Sequence, residues 1–148
     1  MRAVVSLGAN LGDPRQQIHQ AISELKEICR VNSLSTLIET EPIDAPGQPR
    51  YFNAIAIIET DLAPLDLLHH LQRIEQNGGR VRTVRNAART IDLDLISFGE
   101  LFLDSEELTL PHPRAHLRRF VLEPWLEIEP TAELPGYGSV RELLRTLE

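Results

Sequence analysis

At 148 residues, with 42% hydrophobic and 25% charged residues, the chain is large enough to bury a core as one domain without disulfide or metal staples. A net charge of −7 argues against general nucleic-acid binding, and no apolar run approaches the ~20 residues of a membrane span. The opening Met1-Arg-Ala-Val-Val-Ser-Leu-Gly lacks the apolar region of a secretory signal, and the single cysteine, Cys29, excludes an internal disulfide, so a cytoplasmic, soluble protein is expected.

In chain order, residues 2–7 form an apolar run closed by Gly8-Ala-Asn-Leu-Gly12, which predicts a central strand and a glycine-bounded turn. Asp13-Pro14 opens a helix over about 14–29, with Asp as N-cap and Pro at the first helical position. Its apolar residues Ile18, Ala21, Ile22, Leu25 and Ile28 recur at helical spacing. Val31–Thr40 is rich in β-formers and predicts a second strand. Three prolines and a glycine between Glu41 and Pro49 make a loop, long enough within a compact domain to suggest function. Tyr51–Thr60 is the third strand. Pro64 begins a second helix with Leu67, Leu68, Leu71 and Ile74 on its apolar side, stopping near Asn77-Gly78-Gly79.

An arginine-rich loop over 80–90 leads into a fourth strand over 91–98, and Gly99 turns the chain into a hairpin around 101–110. Phe120–Ile128 and Val140–Leu147 are helix-compatible. The order β-α-β-β-α-β is the ferredoxin-like α+β pattern. It predicts an antiparallel sheet with both helices on one face and the other face open. A hairpin and C-terminal helices complete one domain over 1–148.

The fourth strand carries the strongest chemical signal. Side chains alternate along a strand, so Asp92 and Asp94 share one face while Ile91, Leu93 and Leu95 take the other. At ~3.3 Å rise per residue the two aspartate Cα atoms lie about 6.6 Å apart. Hard carboxylate oxygens that close suit Mg²⁺. Arg80, Arg82, Arg85 and Arg89 run straight into the pair, and arginines beside such a site suit a polyphosphate. The local alternative is a solvated strand face whose aspartates pair with those arginines.

Other polar residues need partners. Asn53, near the start of an apolar strand, either caps the strand edge or presents a planar amide to a heterocycle. Glu75 lies in the last turn of a helix, where the dipole disfavours an acid, and a partner among Arg80, Arg82 or Arg85 would explain it. His112 is framed by prolines in Leu110-Pro-His-Pro-Arg114, which suits a fixed donor. No histidine or cysteine spacing matches a zinc site, and Walker, nucleophile-elbow and dinucleotide fingerprints are absent.

Taken together, several motifs resemble one family, the 6-hydroxymethyl-7,8-dihydropterin pyrophosphokinases of folate biosynthesis. They are Ser6-Leu-Gly-Ala-Asn-Leu-Gly12, Thr40 followed by Pro42, Gln48-Pro, Tyr51-Phe-Asn-Ala54, Gln72-Arg-Ile-Glu75 and Gly79-Arg-Val-Arg82. Arg89-Thr-Ile-Asp-Leu-Asp94, Leu110-Pro-His-Pro-Arg114 and Arg118-Arg-Phe-Val-Leu122 follow in order, so the resemblance spans about residues 4–130.

The resemblance implies transfer of pyrophosphate from ATP to the pterin hydroxymethyl group, with release of AMP. It implies that Asp92 and Asp94 hold two Mg²⁺ ions and that Arg82 and Arg89 neutralise the transferring phosphates. Gln72, Glu75, Arg82, His112 and Arg118 match nucleotide positions. Thr40, Pro42, Ile43, Tyr51, Asn53 and Phe120 match the pterin pocket, with Phe120 stacking on the ring. ATP and the pterin are the expected partners, without nucleic acid or membrane, and a monomer is expected. No residue stands out as a general base. One departure is clear: Asn86-Ala87-Ala88 replaces the family's usual Trp-Gly-Pro before Arg89, removing an aromatic from the closing loop. Glu41 stands where the family commonly has proline. A non-catalytic pterin- or nucleotide-binding paralogue is therefore the alternative. A third reading, an acylphosphatase-like or RNA-binding domain, rests on architecture alone.

Overall fold

Seven consecutive buried residues after Arg2 place the first strand, β1 (Arg2–Ala9), in the middle of a sheet. The computed structural model describes residues 1–40, 50–78 and 91–148. The proline-rich loop over 41–49 and the arginine-rich stretch over 79–90 lie outside the described residues, and with them Pro42, Ile43, Arg82, Arg89 and the Asn86-Ala87-Ala88 replacement.

Helix α1 (Pro14–Ile28) starts as expected: the Asp13 side chain accepts from the Gln16 N–H at 3.2 Å, and Pro14 fills the first turn. Next come β2 (Arg30–Leu34), β3 (Ile38–Thr40), β4 (Tyr51–Glu59), α2 (Pro64–Asn77) and β5 (Asp92–Phe98). The sheet order is β2-β4-β1-β5, with β3 also pairing with β4, and every pair is antiparallel. That is the expected ferredoxin-like arrangement. The hairpin of β6 (Leu103–Asp104) and β7 (Thr109–Leu110) and the C-terminal helices α3 (Arg119–Ile128) and α4 (Val140–Thr146) are also present. A 3-10 turn at Ala115–Leu117 and a hairpin of β8 (Glu133–Leu134) with β9 (Gly138–Ser139) carry no signal in the sequence reading. Among the described residues no helix is long and apolar enough to cross a membrane.

Three expectations change. Val31–Thr40 is two strands, because the regular ladder of β2 ends at Leu34 and resumes only at Ile38. Gly8 does not end β1. It stays in the ladder, paired with Asn53 on one side and Asp92 on the other. Third, the face opposite α1 and α2 is only half open. On the helix face, Val5, Leu7, Ala56, Ile58, Leu93 and Leu95 pack with Leu25 of α1 and Leu71 of α2. On the other face, Val4, Ile55, Ile57 and Ile96 form a second core with Val121, Leu122 and Trp125 of α3 and Val140 of α4. Burial on that scale contributes ~25 cal/mol per Å² of apolar surface, enough to fix where α3 lies. Among the described residues of β1, Ser6 and Gly8 lie on this face outside the second core.

Candidate active site

The ladder register decides what stands on the half-face outside the second core. Asp92 of β5 pairs with Gly8 of β1, Gly8 with Asn53 of β4, and Asn53 with Ile38 of β3. One row therefore carries an acid at the sheet edge, a gap at Gly8 and an amide beyond it. Asp92 and Asn53 are two strand spacings apart, about 9–10 Å. The next row carries Asp94, Ser6 and Ile55. As the alternation requires, both aspartates are half-buried while Ile91, Leu93 and Leu95 are buried on the helix face.

This half-face floors a cleft of about 1000 Å³, whose lining includes Thr40, Tyr51, Asn53, Asp92, Asp94, Arg118 and Phe120. Seven of the sequence-derived site residues thus meet in one cavity. Ser6, Gly8 and Arg119, which lie within the quoted motifs without a site role, also line it, as do Ile38, Glu39, Leu117, Glu123 and Leu147. Ser6 and Gly8 follow from period-2 counting once β1 is known to pair with β5. The remainder depend on how α3 and α4 pack, which no local pattern encodes.

Gly8 is needed for room. A Cβ on it would meet Asn53 Oδ1 at 2.8 Å. The Asn53 Nδ2 donates to Thr40 Oγ1 at 3.0 Å, which fixes the amide's rotation and leaves Oδ1 over Gly8. Gly78, at the end of α2, is also explained by space: its φ is −73°, and a Cβ would lie 2.7 Å from Ile91 Cγ2.

Arg118, just before α3, holds the acidic end. Its guanidinium lies 3.7 Å from Asp94 Oδ2 and 5.4 Å from the Phe120 ring centroid, a cation–π distance. His112 reaches the same corner because its N–H donates to the Ile96 carbonyl at 2.8 Å, beside a register shift in the β1–β5 ladder. Its Nδ1 accepts from the Arg114 N–H at 3.1 Å, so the neutral ring carries its proton on Nε2. Burial pushes the imidazole below its ordinary range, Asp94 works against that, and Arg118 and Arg114 add to it.

Gln72 and Glu75, expected on the nucleotide side, are carried by α2, which ends just before the stretch over 79–90 that lies outside the described residues. Gln72 is exposed on α2 and Glu75 is buried, and neither lines the cleft. The Glu75 carboxylate accepts from the Leu93 N–H at 2.9 Å, on the side of β5 away from β1 and between the two aspartates. The Leu93 N–H is thus one partner for this acid in the last helical turn, and the arginines that the sequence suggested, Arg80, Arg82 and Arg85, lie outside the described residues.

The donor set at Asp92 and Asp94 suits a hard divalent cation: two same-face carboxylates, open to the cleft. Among the described residues no group of three or more His, Cys, Asp or Glu gathers, and Mg²⁺ is commonly held by one or two carboxylates with substrate oxygens and water completing its shell.

Comparison with known proteins agrees with this arrangement. Residues 4–130 match the family model for 7,8-dihydro-6-hydroxymethylpterin-pyrophosphokinase (HPPK). A Pseudomonas aeruginosa protein named 2-amino-4-hydroxy-6-hydroxymethyldihydropteridine pyrophosphokinase is 42% identical over 97% of this chain and 90% of its own. A Haemophilus influenzae protein of the same name is 39% identical over 97% of this chain and 91% of its own. The structure also resembles a Plasmodium falciparum HPPK-DHPS chain, with a TM-score of 0.77 over 98% of this chain, at 14% identity. Because this chain spans only 44% of that one, the likeness bears on the fold alone. On the family match and the two bacterial relatives, the chain belongs to the 7,8-dihydro-6-hydroxymethylpterin pyrophosphokinase family.

Proposed function

We propose that this protein transfers pyrophosphate from ATP to the hydroxymethyl group of 6-hydroxymethyl-7,8-dihydropterin, giving AMP and the pterin diphosphate. The observation that carries the reading is the row Asp92–Gly8–Asn53, which sets a carboxylate and an amide at the two ends of one cleft. The pterin would lie toward β3 and β4, with Asn53 Oδ1 facing ring N–H donors and Thr40, Pro42, Ile43, Tyr51 and Phe120 around it. Its hydroxymethyl group would then point across Gly8 toward Asp92 and Asp94.

In the reaction the hydroxymethyl oxygen gives up its proton to solvent and bonds to the β-phosphorus, while the bond from that phosphorus to the bridging α-phosphate oxygen breaks and AMP leaves with that oxygen. Asp92 and Asp94 would hold two Mg²⁺ ions. Bound Mg²⁺ supplies charge neutralisation and lowers the pKa of the hydroxyl. The chain's own residues position the reactants and balance charge, which is most of what phosphoryl transfer asks of a protein. Arg82 and Arg89 would neutralise the transferring phosphates. Arg118, braced by Asp94 and the Phe120 ring, stands close enough to turn to an anionic oxygen. The Nε2–H of His112 is a fixed donor for the same group. Gln72 would face the nucleotide, and Glu75 would act on that side by holding the β5 edge. A single domain over 1–148, acting as a monomer in the cytoplasm, completes the reading, in keeping with one unpaired cysteine.

Incubation with Mg²⁺, ATP and the pterin, followed by chromatography, tests the proposal. AMP that requires the pterin and the metal is expected. Pterin binding without AMP would sustain the non-catalytic binder instead.

A further inference from the structure

The break between β2 and β3 has a geometry that reaches the pterin end of the cleft. Leu34 pairs with Ala56 and Ile38 with Asn53, so three residues on the edge chain face only two on β4. Ser35 takes the place opposite Ile55. Its N–H donates to the Ile55 carbonyl at 2.9 Å, and its Oγ accepts from the Ile55 N–H at 2.8 Å. The Ser35 hydroxyl in turn donates to the Thr36 carbonyl at 2.9 Å. Thr36 is the extra residue of a β-bulge.

An inserted residue reverses which side chains face which way. Strict alternation from Ser35 would turn Leu37 and Glu39 toward the cleft and Ile38 and Thr40 toward α1 and α2. With Thr36 inserted, Ile38 and Thr40 line the cleft and Leu37 packs into the helix-face core, while Glu39, which also borders the cleft, is exposed and pairs with Arg50. Thr40 is the residue that holds the Asn53 amide. The bulge must therefore hold for the amide to be presented.

Glu127, in the last turn of α3, holds it. Its Oε1 accepts from the Thr36 N–H at 3.1 Å and its Oε2 from the Thr36 hydroxyl at 2.9 Å, across 91 residues of sequence. The first turns of the same helix contribute Arg119, Phe120 and Glu123 to the opposite wall of the cleft. One helix thus supplies one wall of the cleft and clamps the strand that supplies the other.

We infer that Glu127, through the Thr36 bulge, is a positioning residue that sets the pterin subsite and leaves the nucleotide end untouched. The inference rests on the roles proposed above for Thr40 and Asn53. It is tested on the whole protein with Glu127→Ala, Glu127→Gln and Thr36→Val, measuring kcat, the KM of each substrate and Tm. Glu127→Ala should raise the pterin KM about tenfold, as the loss of two charge-assisted hydrogen bonds implies, and leave the ATP KM within about twofold. Glu127→Gln keeps an acceptor for the Thr36 N–H and should restore most of the pterin affinity. Thr36→Val removes only the hydroxyl bond and should give a smaller rise confined to the pterin.

An unchanged pterin KM in a folded Glu127→Ala protein, or equal rises for pterin and ATP, would overturn the inference. If Glu127→Ala does not fold, Thr36→Val decides it by the same criterion. Failure of the wild type to make AMP would overturn the functional reading instead. Calorimetric titration of the same variants with the pterin would then decide the positioning role, a selective loss upholding it and equal affinities overturning it.

Discussion

The two faces of the central sheet are made by alternate residues of the same strands, yet they obey different demands. On the face that carries α1 and α2, Val5, Leu7, Ala56, Ile58, Leu93 and Leu95 are buried from one end to the other. On the opposite face, Val4, Ile55, Ile57 and Ile96 fill a core under α3 and α4 and then give way to Ser6, Gly8, Asn53, Asp92 and Asp94. One β1 strand thus alternates Leu7 for packing with Ser6 and Gly8 for the cleft. A period of two lets stability and chemistry be set almost independently, because a substitution on one face changes no side-chain contact on the other.

That separation can be broken most severely at the aspartates. Asp94→Ala should reduce turnover by about 10²–10³-fold or more, the scale of losing a major charge-positioning group, with Tm nearly unchanged. A variant with near-wild-type turnover would show that the acidic row is not the cation site. Asp92→Ala should behave alike. The converse experiment is Leu7→Ala, at a fully buried position on the helix face. Denaturant unfolding should register a loss of about 2–5 kcal/mol, while kcat per folded molecule stays close to wild type. Loss of kcat without loss of stability would mean the faces are coupled.

Gly8→Ala sharpens the comparison within the cleft face itself. The new methyl would meet Asn53 Oδ1, so the amide must move. Pterin affinity should fall about tenfold, corresponding to the lower end of the cost of overpacking, with ATP affinity retained. Calorimetry with each substrate separately distinguishes this from a general loss. The smallest effect is expected behind the helix face, at Cys29, which packs against that core and whose Sγ–H donates to the Leu25 carbonyl at 3.2 Å. Burial pushes its thiol up from 9.0 to about 11. The reactive thiolate is therefore scarce at pH 8, and reaction with a disulfide reagent should be slow and should accelerate up to about pH 11. A raised acid pKa also means that this contribution to stability is present below pH 9 and is lost as pH climbs through 11. Fast labelling at pH 8 would show that the pocket around Cys29 opens.

The amino-acid sequence alone determined the sheet and helix order, the capped start of α1 at Asp13-Pro14, and the shared face of Asp92 and Asp94. These features are periodic or local: a two-residue or 3.6-residue repeat, or a cap within one turn, is complete within a short window. The motif run likewise carries the resemblance to the family without any tertiary contact. Tertiary structure alone decided which half of the second face α3 and α4 would cover, and so where the cleft opens. It decided that Gly8 serves for space beside Asn53, that Glu75 bonds the Leu93 N–H, and that Thr36 bulges out to Glu127. Each of these joins groups that are distant in sequence, 91 residues apart for Glu127 and Thr36. No local pattern records such a contact, because whether a donor has a partner is settled only when packing brings the two elements together.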